Sequence, residues 1–226
     1  MRPYVVEETY EVIDAIESGD AKAIQKELGD LLFQVVLLSE MARQAGDFDI
    51  DDVARGISQK MIERHPHVFD PEHHEDDAGS VGAWEARKAK TRDPDDSMLD
   101  GVPNALPALI RAHRVGERVS RVGFDWPSLE RVRAKVDEEL DELDEALESQ
   151  DEAHIRAEYG DVLLATANVG RFLGIGPEEA LREANQRFEG RFRVVEDLAR
   201  TQGQSLHELD TEALEALWVQ AKERTS

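Results

Sequence analysis

Four acidic residues recur in one spacing at two places in the chain, and this recurrence limits what the chain can fold into. Glu8, Glu11, Glu27 and Asp30 are answered 131 residues later by Glu139, Glu142, Glu158 and Asp161. Within each copy the acids form two pairs three residues apart, a spacing that puts both side chains on one face of a helix. Between the pairs lies a turn signal, Ser18-Gly19-Asp20 in the first copy and Ser149-Gln150-Asp151 in the second. Each copy therefore predicts an antiparallel helical hairpin with its acidic pairs facing each other. Four carboxylates brought together repel unless a cation compensates them. Hard oxygen ligands of this kind suit Mg²⁺, or Mn²⁺.

A single Glu-x-x-Glu would carry little weight in a chain with 50 acidic residues, where most such pairs are solvated helix faces. Repetition argues against that reading. So does Asp161, which runs directly into Val162-Leu163-Leu164 and is expected to meet an apolar surface where an unpaired charge is costly.

Helical periodicity runs through the rest of the chain. Apolar stripes and stop signals predict helices at 4–17, 21–44, 52–63, 81–92, 105–122, 129–148, 152–173, 178–201 and 211–223. Pro66 forbids continuation of the third, and Pro177 is placed to start the eighth. Residues 71–82 read as a polar loop, and 91–107, with Asp93-Pro94, Gly101 and Pro103, as a linker. No stretch alternates as a strand does, so the fold class is all-α. Two repeats follow, at 1–95 and 96–226.

The formal net charge of −23 opposes unassisted binding to nucleic acid or to an anionic membrane, since phosphate rewards Lys and Arg. The chain has no cysteine and hence no thiol nucleophile, disulfide or zinc–thiolate site. The N-terminal residues lack the apolar core of a signal peptide, and apolar runs such as 31–38 fall short of a membrane helix. The expectation is a soluble, cytoplasmic protein. His65, His67, His73 and His74 lack helical metal-ligand spacing and are not assigned a metal. There is no Gly-rich phosphate loop, so phosphate recognition must come from metal and side chains.

Further pieces repeat as well. Lys60 and Arg64 are matched by Arg187 and Arg191, and Trp84…Lys88 by Trp218…Lys222. Each half thus combines four carboxylates, a basic pair one helical turn apart and a tryptophan. That set can hold metal, meet phosphate charge and stack on a flat base.

With these parts aligned, the sequence closely resembles the MazG family of nucleoside triphosphate pyrophosphohydrolases. The Glu-Glu-x-x-Glu…Glu-x-x-Asp pattern stands at Glu138–Asp161 and Glu7–Asp30. Glu-Leu-Gly-Asp-Leu-Leu-Phe-Gln (27–34), Arg-His-Pro-His-Val-Phe (64–69) and Gly-Phe-Asp-Trp (123–126) extend the likeness to the tandem-domain form. The resemblance implies dimeric four-helix domains that hydrolyse nucleoside triphosphates with Mg²⁺ to monophosphate and pyrophosphate. It implies Glu139, Glu142, Glu158 and Asp161 as metal ligands, Lys135, Arg187 and Arg191 as phosphate contacts, and Trp218 at the base. The second copy is the expected active one. The first begins at Met1 just before its acids, without the helix that precedes the second copy's acids. Glu138 is a candidate base for water attack on the α-phosphorus. Competing readings keep the fold but make it specific for dUTP or phosphoribosyl-ATP, or make it a regulatory module that binds nucleotide without turnover.

Overall fold

A computed structural model describes residues 2–69 and 97–225. The expected 81–92 helix with Trp84 and Lys88, the 71–82 loop with His73 and His74, and the first part of the 91–107 linker lie outside them. The chain divides into two compact units, Met1–Pro94 and Asp95–Ser226. Among the described residues there is no strand, and the architecture is all-α.

The first unit contains α1 (Arg2–Ser18), α2 (Ala21–Ala45), α3 (Ile50–Arg64) and the single turn α4 (Pro66–Phe69). Pro66 does stop α3, but it also opens that turn, since a proline's missing N–H costs nothing at a helix start. The second unit contains α5 (Ala108–Ser120), α6 (Leu129–Ser149), α7 (Glu152–Leu173), α8 (Pro177–Thr201) and α9 (Thr211–Arg224), with a 3₁₀ turn at Leu206–Glu208.

The two acidic hairpins are closed by the same device. Gly19, at φ 68°, ends α1, and the side chain of Asp20 accepts a hydrogen bond from the Lys22 N–H at 2.9 Å to begin α2. Gln150, at φ 57°, ends α6, and Asp151 accepts from the Ala153 N–H at 3.0 Å to begin α7. A left-handed residue followed by an N-cap reverses the chain in two residues, so the paired helices must run antiparallel. Other ends are also sealed: Asp49 and Asp52 form a capping box on α3, and Ser128 and Asp210 cap α6 and α9.

The core of the second unit has two parts. Val132 and Ala146 on α6 and Ala165 and Ala167 on α7 are buried, the small residues allowing close approach of the acidic helices. Val195, Leu198 and Ala199 of α8 pack with Leu217 and Ala221 of α9, flanked by Trp218. A clamp ties the turn before α6 to α7. Arg171 donates through both terminal nitrogens to Asp125, at 2.9 and 2.5 Å, and through Nε to Asn168 Oδ1 at 3.1 Å. Gly116 of α5 makes room for it: a Cβ there would lie 2.6 Å from Asn168 Oδ1 and 2.9 Å from Arg171 Nε.

Candidate active site

Helical geometry brings Glu139 of α6 together with Glu158 and Asp161 of α7, with carboxylate oxygens of all three within 4.8 Å of one another. Glu142, one turn beyond Glu139, lies at the margin of this group. Desolvation first, then the hydrogen bond and charge of Glu139 and the charge of Glu158, raise its carboxyl above the ordinary glutamate value, while Lys135 pulls the other way. The acid that is buried is Glu139, at 7% exposure, and Asp161 is exposed. The expectation that Asp161 would face the apolar run fails because Val162 points to a different side of α7 from its neighbour.

Lys135 and Glu138 complete this face of α6. The ammonium of Lys135 lies 2.5 Å from Glu138 and 2.9 Å from Glu139, one helical turn away in each case. Hydrogen bonds to Glu138 and then Glu139 raise the lysine well above its ordinary pKa. On α7, His154 Nε2 stands 3.3 Å from Glu158. On another face of α7, Glu152, Ile155, Arg156 and Tyr159 line an open surface depression.

The remaining candidates sit on α8 and α9. Arg187 is exposed and lies 3.6 Å from Glu183. Arg191 is half-buried, its Nε donating to Thr225 Oγ1 at 3.3 Å. Trp218 packs on Phe188 with ring centroids 5.1 Å apart and flanks the α8–α9 core, so part of its ring is already occupied. The site residues therefore form two groups: Lys135, Glu138, Glu139, Glu142, Glu158 and Asp161 on the hairpin, and Arg187, Arg191 and Trp218 on the α8–α9 pair.

The first unit repeats the hairpin with a different set of converging acids. Glu8, Glu11 and Glu27 converge within 4.8 Å, whereas Asp30 is drawn toward Lys26 at 3.5 Å. Lys60 and Arg64 stand on α3. His65 Nδ1 lies 2.8 Å from the Met61 carbonyl oxygen, a contact that closes α3.

Both clusters offer only oxygen donors, and in the first unit Glu8 Oε2 and Glu27 Oε2 are buried without a hydrogen-bond donor. Carboxylate oxygens gathered in this way, two of them unmet, fit a hard divalent cation. The sequence profile of the MazG nucleotide pyrophosphohydrolase domain matches residues 1–69 and 128–195, one acidic hairpin in each segment.

The chain belongs to the MazG family.

Several relatives match nearly its whole length. A nucleoside triphosphate pyrophosphohydrolase of Escherichia coli K12 is 44% identical over 224 residues, 97% of this chain and 85% of the relative. A nucleoside triphosphate pyrophosphohydrolase/pyrophosphatase MazG of Thermotoga maritima is 42% identical over 224 residues, 98% of this chain and 85% of the relative. Among the described residues of this MazG chain, no helix is long and apolar enough to cross a membrane.

Proposed function

We propose that this MazG chain hydrolyses nucleoside triphosphates to the monophosphate and pyrophosphate, and that the second unit carries the reaction. The supporting observation is the convergence of buried Glu139 with Glu158 and Asp161 on one hairpin, with Lys135 within hydrogen-bonding reach of Glu139.

Glu139, Glu158 and Asp161, with Glu142 at the edge, would hold Mg²⁺, or Mn²⁺ in its place. Bound there, the metal supplies Lewis acidity toward phosphate oxygens and lowers the pKa of a coordinated water. The chain's own residues do the rest. Lys135 turns from Glu138 and Glu139 to the triphosphate, where its charge meets oxygens that the carboxylates cannot approach. Glu138, exposed and next in sequence to the buried ligand, accepts the proton of the attacking water. A new oxygen–phosphorus bond forms at the α-phosphorus, the bond from that phosphorus to the oxygen bridging to the β-phosphorus breaks, and pyrophosphate leaves with that oxygen and the electron pair.

Arg187 and Arg191 serve the β and γ phosphates, and the open part of the Trp218 ring receives the base. Leu140, Leu163 and Leu164 stand exposed beside the acids on α6 and α7. A second copy of the chain covers them in our reading, making the working form a homodimer in the cytoplasmic nucleotide pool.

The test is product analysis with each triphosphate, with and without Mg²⁺, on the natural chain and on Glu139→Gln. Metal-dependent monophosphate and pyrophosphate, lost in the variant with helicity unchanged, supports the site. Diphosphate and phosphate as products, or near-normal rates in the variant, overturns it.

A further inference from the structure

The two acidic hairpins share their spacing and their two-residue reversal, yet different acids converge in each. The second gathers Glu139, Glu158 and Asp161, and the first gathers Glu8, Glu11 and Glu27. Matched by position, the pair nearer the turn is Glu142 with Glu158 in the second and Glu11 with Glu27 in the first. The pair farther from the turn is Glu139 with Asp161, and Glu8 with Asp30. The second hairpin closes on its far pair and the first on its near pair.

What differs is the fastening of the far end. In the second hairpin Asp125, just ahead of α6, is held by Arg171 near the end of α7. Asn168, itself buried and donating to the Leu164 carbonyl oxygen at 3.1 Å, accepts from Arg171 Nε. Asp161 lies ten residues after Asp151 of the turn and ten before Arg171, so each fastening stands about 15 Å from it along the helix. The acids thus sit between two ties. In α2, Glu40 stands where α7 has Arg171, and Leu37 where it has Asn168. Glu40 accepts from Arg43 at 2.7 and 2.8 Å and from Gln44 at 3.0 Å, all on its own helix. A carboxylate and a leucine at these places cannot reproduce the clamp.

We propose that Asp125 and Arg171 are positioning residues for the active site: their clamp closes the far end of the α6–α7 hairpin and so selects Asp161, in place of Glu142, to join Glu139 and Glu158. Groups that hold metal ligands in place commonly govern metal affinity without touching the ion. A rival cause is Lys26, which draws Asp30 to itself at 3.5 Å where the second hairpin has Ala157. That pair is exposed, at 68% and 49%, and exposed pairs are weak. The clamp is two-pronged, with Arg171 at 11% and Asp125 at 25%, and is the stronger constraint. This inference rests on the metal-binding part of the proposed function.

The test uses the full chain with Glu8→Gln, Glu11→Gln and Glu27→Gln, so that Mn²⁺ binding, followed by electron paramagnetic resonance, reports the second cluster. With the clamp intact, Asp161→Asn should weaken Mn²⁺ at least about tenfold and Glu142→Gln less than about threefold. Asp125→Asn should reverse this order, making Glu142→Gln the costlier change. Asp125→Glu keeps a charged fork for Arg171 and should retain the original order. Gly116→Ala displaces Arg171 from the α5 side and should act as Asp125→Asn does, a second route if that variant folds poorly. A pair that only stabilised the fold would lower the melting temperature and leave the order of the two losses unchanged. That result in both clamp variants overturns the inference, and so does a reversal produced by Ala157→Lys alone with the clamp intact. A parent chain without stoichiometric Mn²⁺ overturns the metal reading on which this one rests, whereas stoichiometric binding with an unchanged order overturns the role of the clamp alone.

Discussion

Lys135 lies 2.9 Å from Glu139, so the buried acid of the second hairpin has a cation of the chain's own against it. That lysine holds one positive charge against a group of three carboxylates with a fourth beside them. It limits repulsion in the free protein without abolishing the demand for metal.

Replacing Lys135 by Met keeps the stem and removes the charge. A charge-assisted hydrogen bond is worth about 1.5–3 kcal/mol, so kcat/KM should fall roughly ten- to a hundredfold with far-ultraviolet circular dichroism unchanged. Mn²⁺ should bind the variant more tightly in the absence of nucleotide, because its competitor for Glu139 is gone. Steady-state kinetics and metal titration check both; weaker metal binding would mean that Lys135 does not compete for that carboxylate.

Stability should depend on pH through Glu142. Its folded pKa is raised, chiefly by desolvation and then by Glu139 and Glu158, so its contribution is full below the unfolded value of about 4.3. That contribution is lost as pH rises through the folded value. With chelator present, Tm should therefore decline as pH climbs from the ordinary glutamate range toward neutrality. Glu142→Gln should flatten the decline, and so should Mg²⁺, which favours the ionised acid. Melting curves across this range decide it, and an unchanged slope in the variant would exclude Glu142 as the cause.

Gln150 occupies the left-handed position that Gly19 fills in the first hairpin, at φ 57° against 68°. A side chain there costs roughly 1 kcal/mol, partly offset by the entropy a glycine loses on folding. Gln150→Gly should stabilise the chain by up to about 1 kcal/mol, raising the denaturant midpoint at constant slope.

The Arg171 clamp should be sensitive at both ends. Asp125→Asn replaces a charged acceptor beside an arginine whose side chain is only 11% exposed, and should cost about 2 kcal/mol. Hydrogen bonds from Arg171 lead the causes that hold Asp125 below its ordinary pKa. Its contribution is thus full above about 3.9 and lost as pH falls through the depressed folded value. Gly116→Ala gains about 1 kcal/mol of helix propensity but forces Asn168 and Arg171 aside, for a net loss of about 1–2 kcal/mol. Chemical denaturation of the two variants measures these costs, and a stabilised Gly116→Ala would show the clamp to be pliable.

Much of this was legible in the sequence because it is local. The bounds of α7 follow from Asp151 and Gly174, and the pairing of acids follows from their spacing and the turn between them. What escaped depends on long-range neighbours. Asp125 and Arg171 are 46 residues apart, and nothing in Gly-Phe-Asp-Trp marks its aspartate as a clamp. Gly116 reads as an ordinary weak point in a helix until α7 is laid against it. Gln34 stands inside the apolar 31–38 run, and only its hydrogen bond to Glu8 across the hairpin shows what its amide meets. Trp218 was expected to be available to a base, and its contact with Phe188 leaves only part of its ring for that.

The two-residue reversal between α6 and α7 also governs how the site comes into being. All the carboxylates lie within the continuous stretch from Glu139 to Asp161, so they meet through contacts of short sequence separation, the kind that form early in folding. A ligand set carried by one hairpin needs no distant partner to be inherited intact. Copying that short piece of gene copies the ligand set with it.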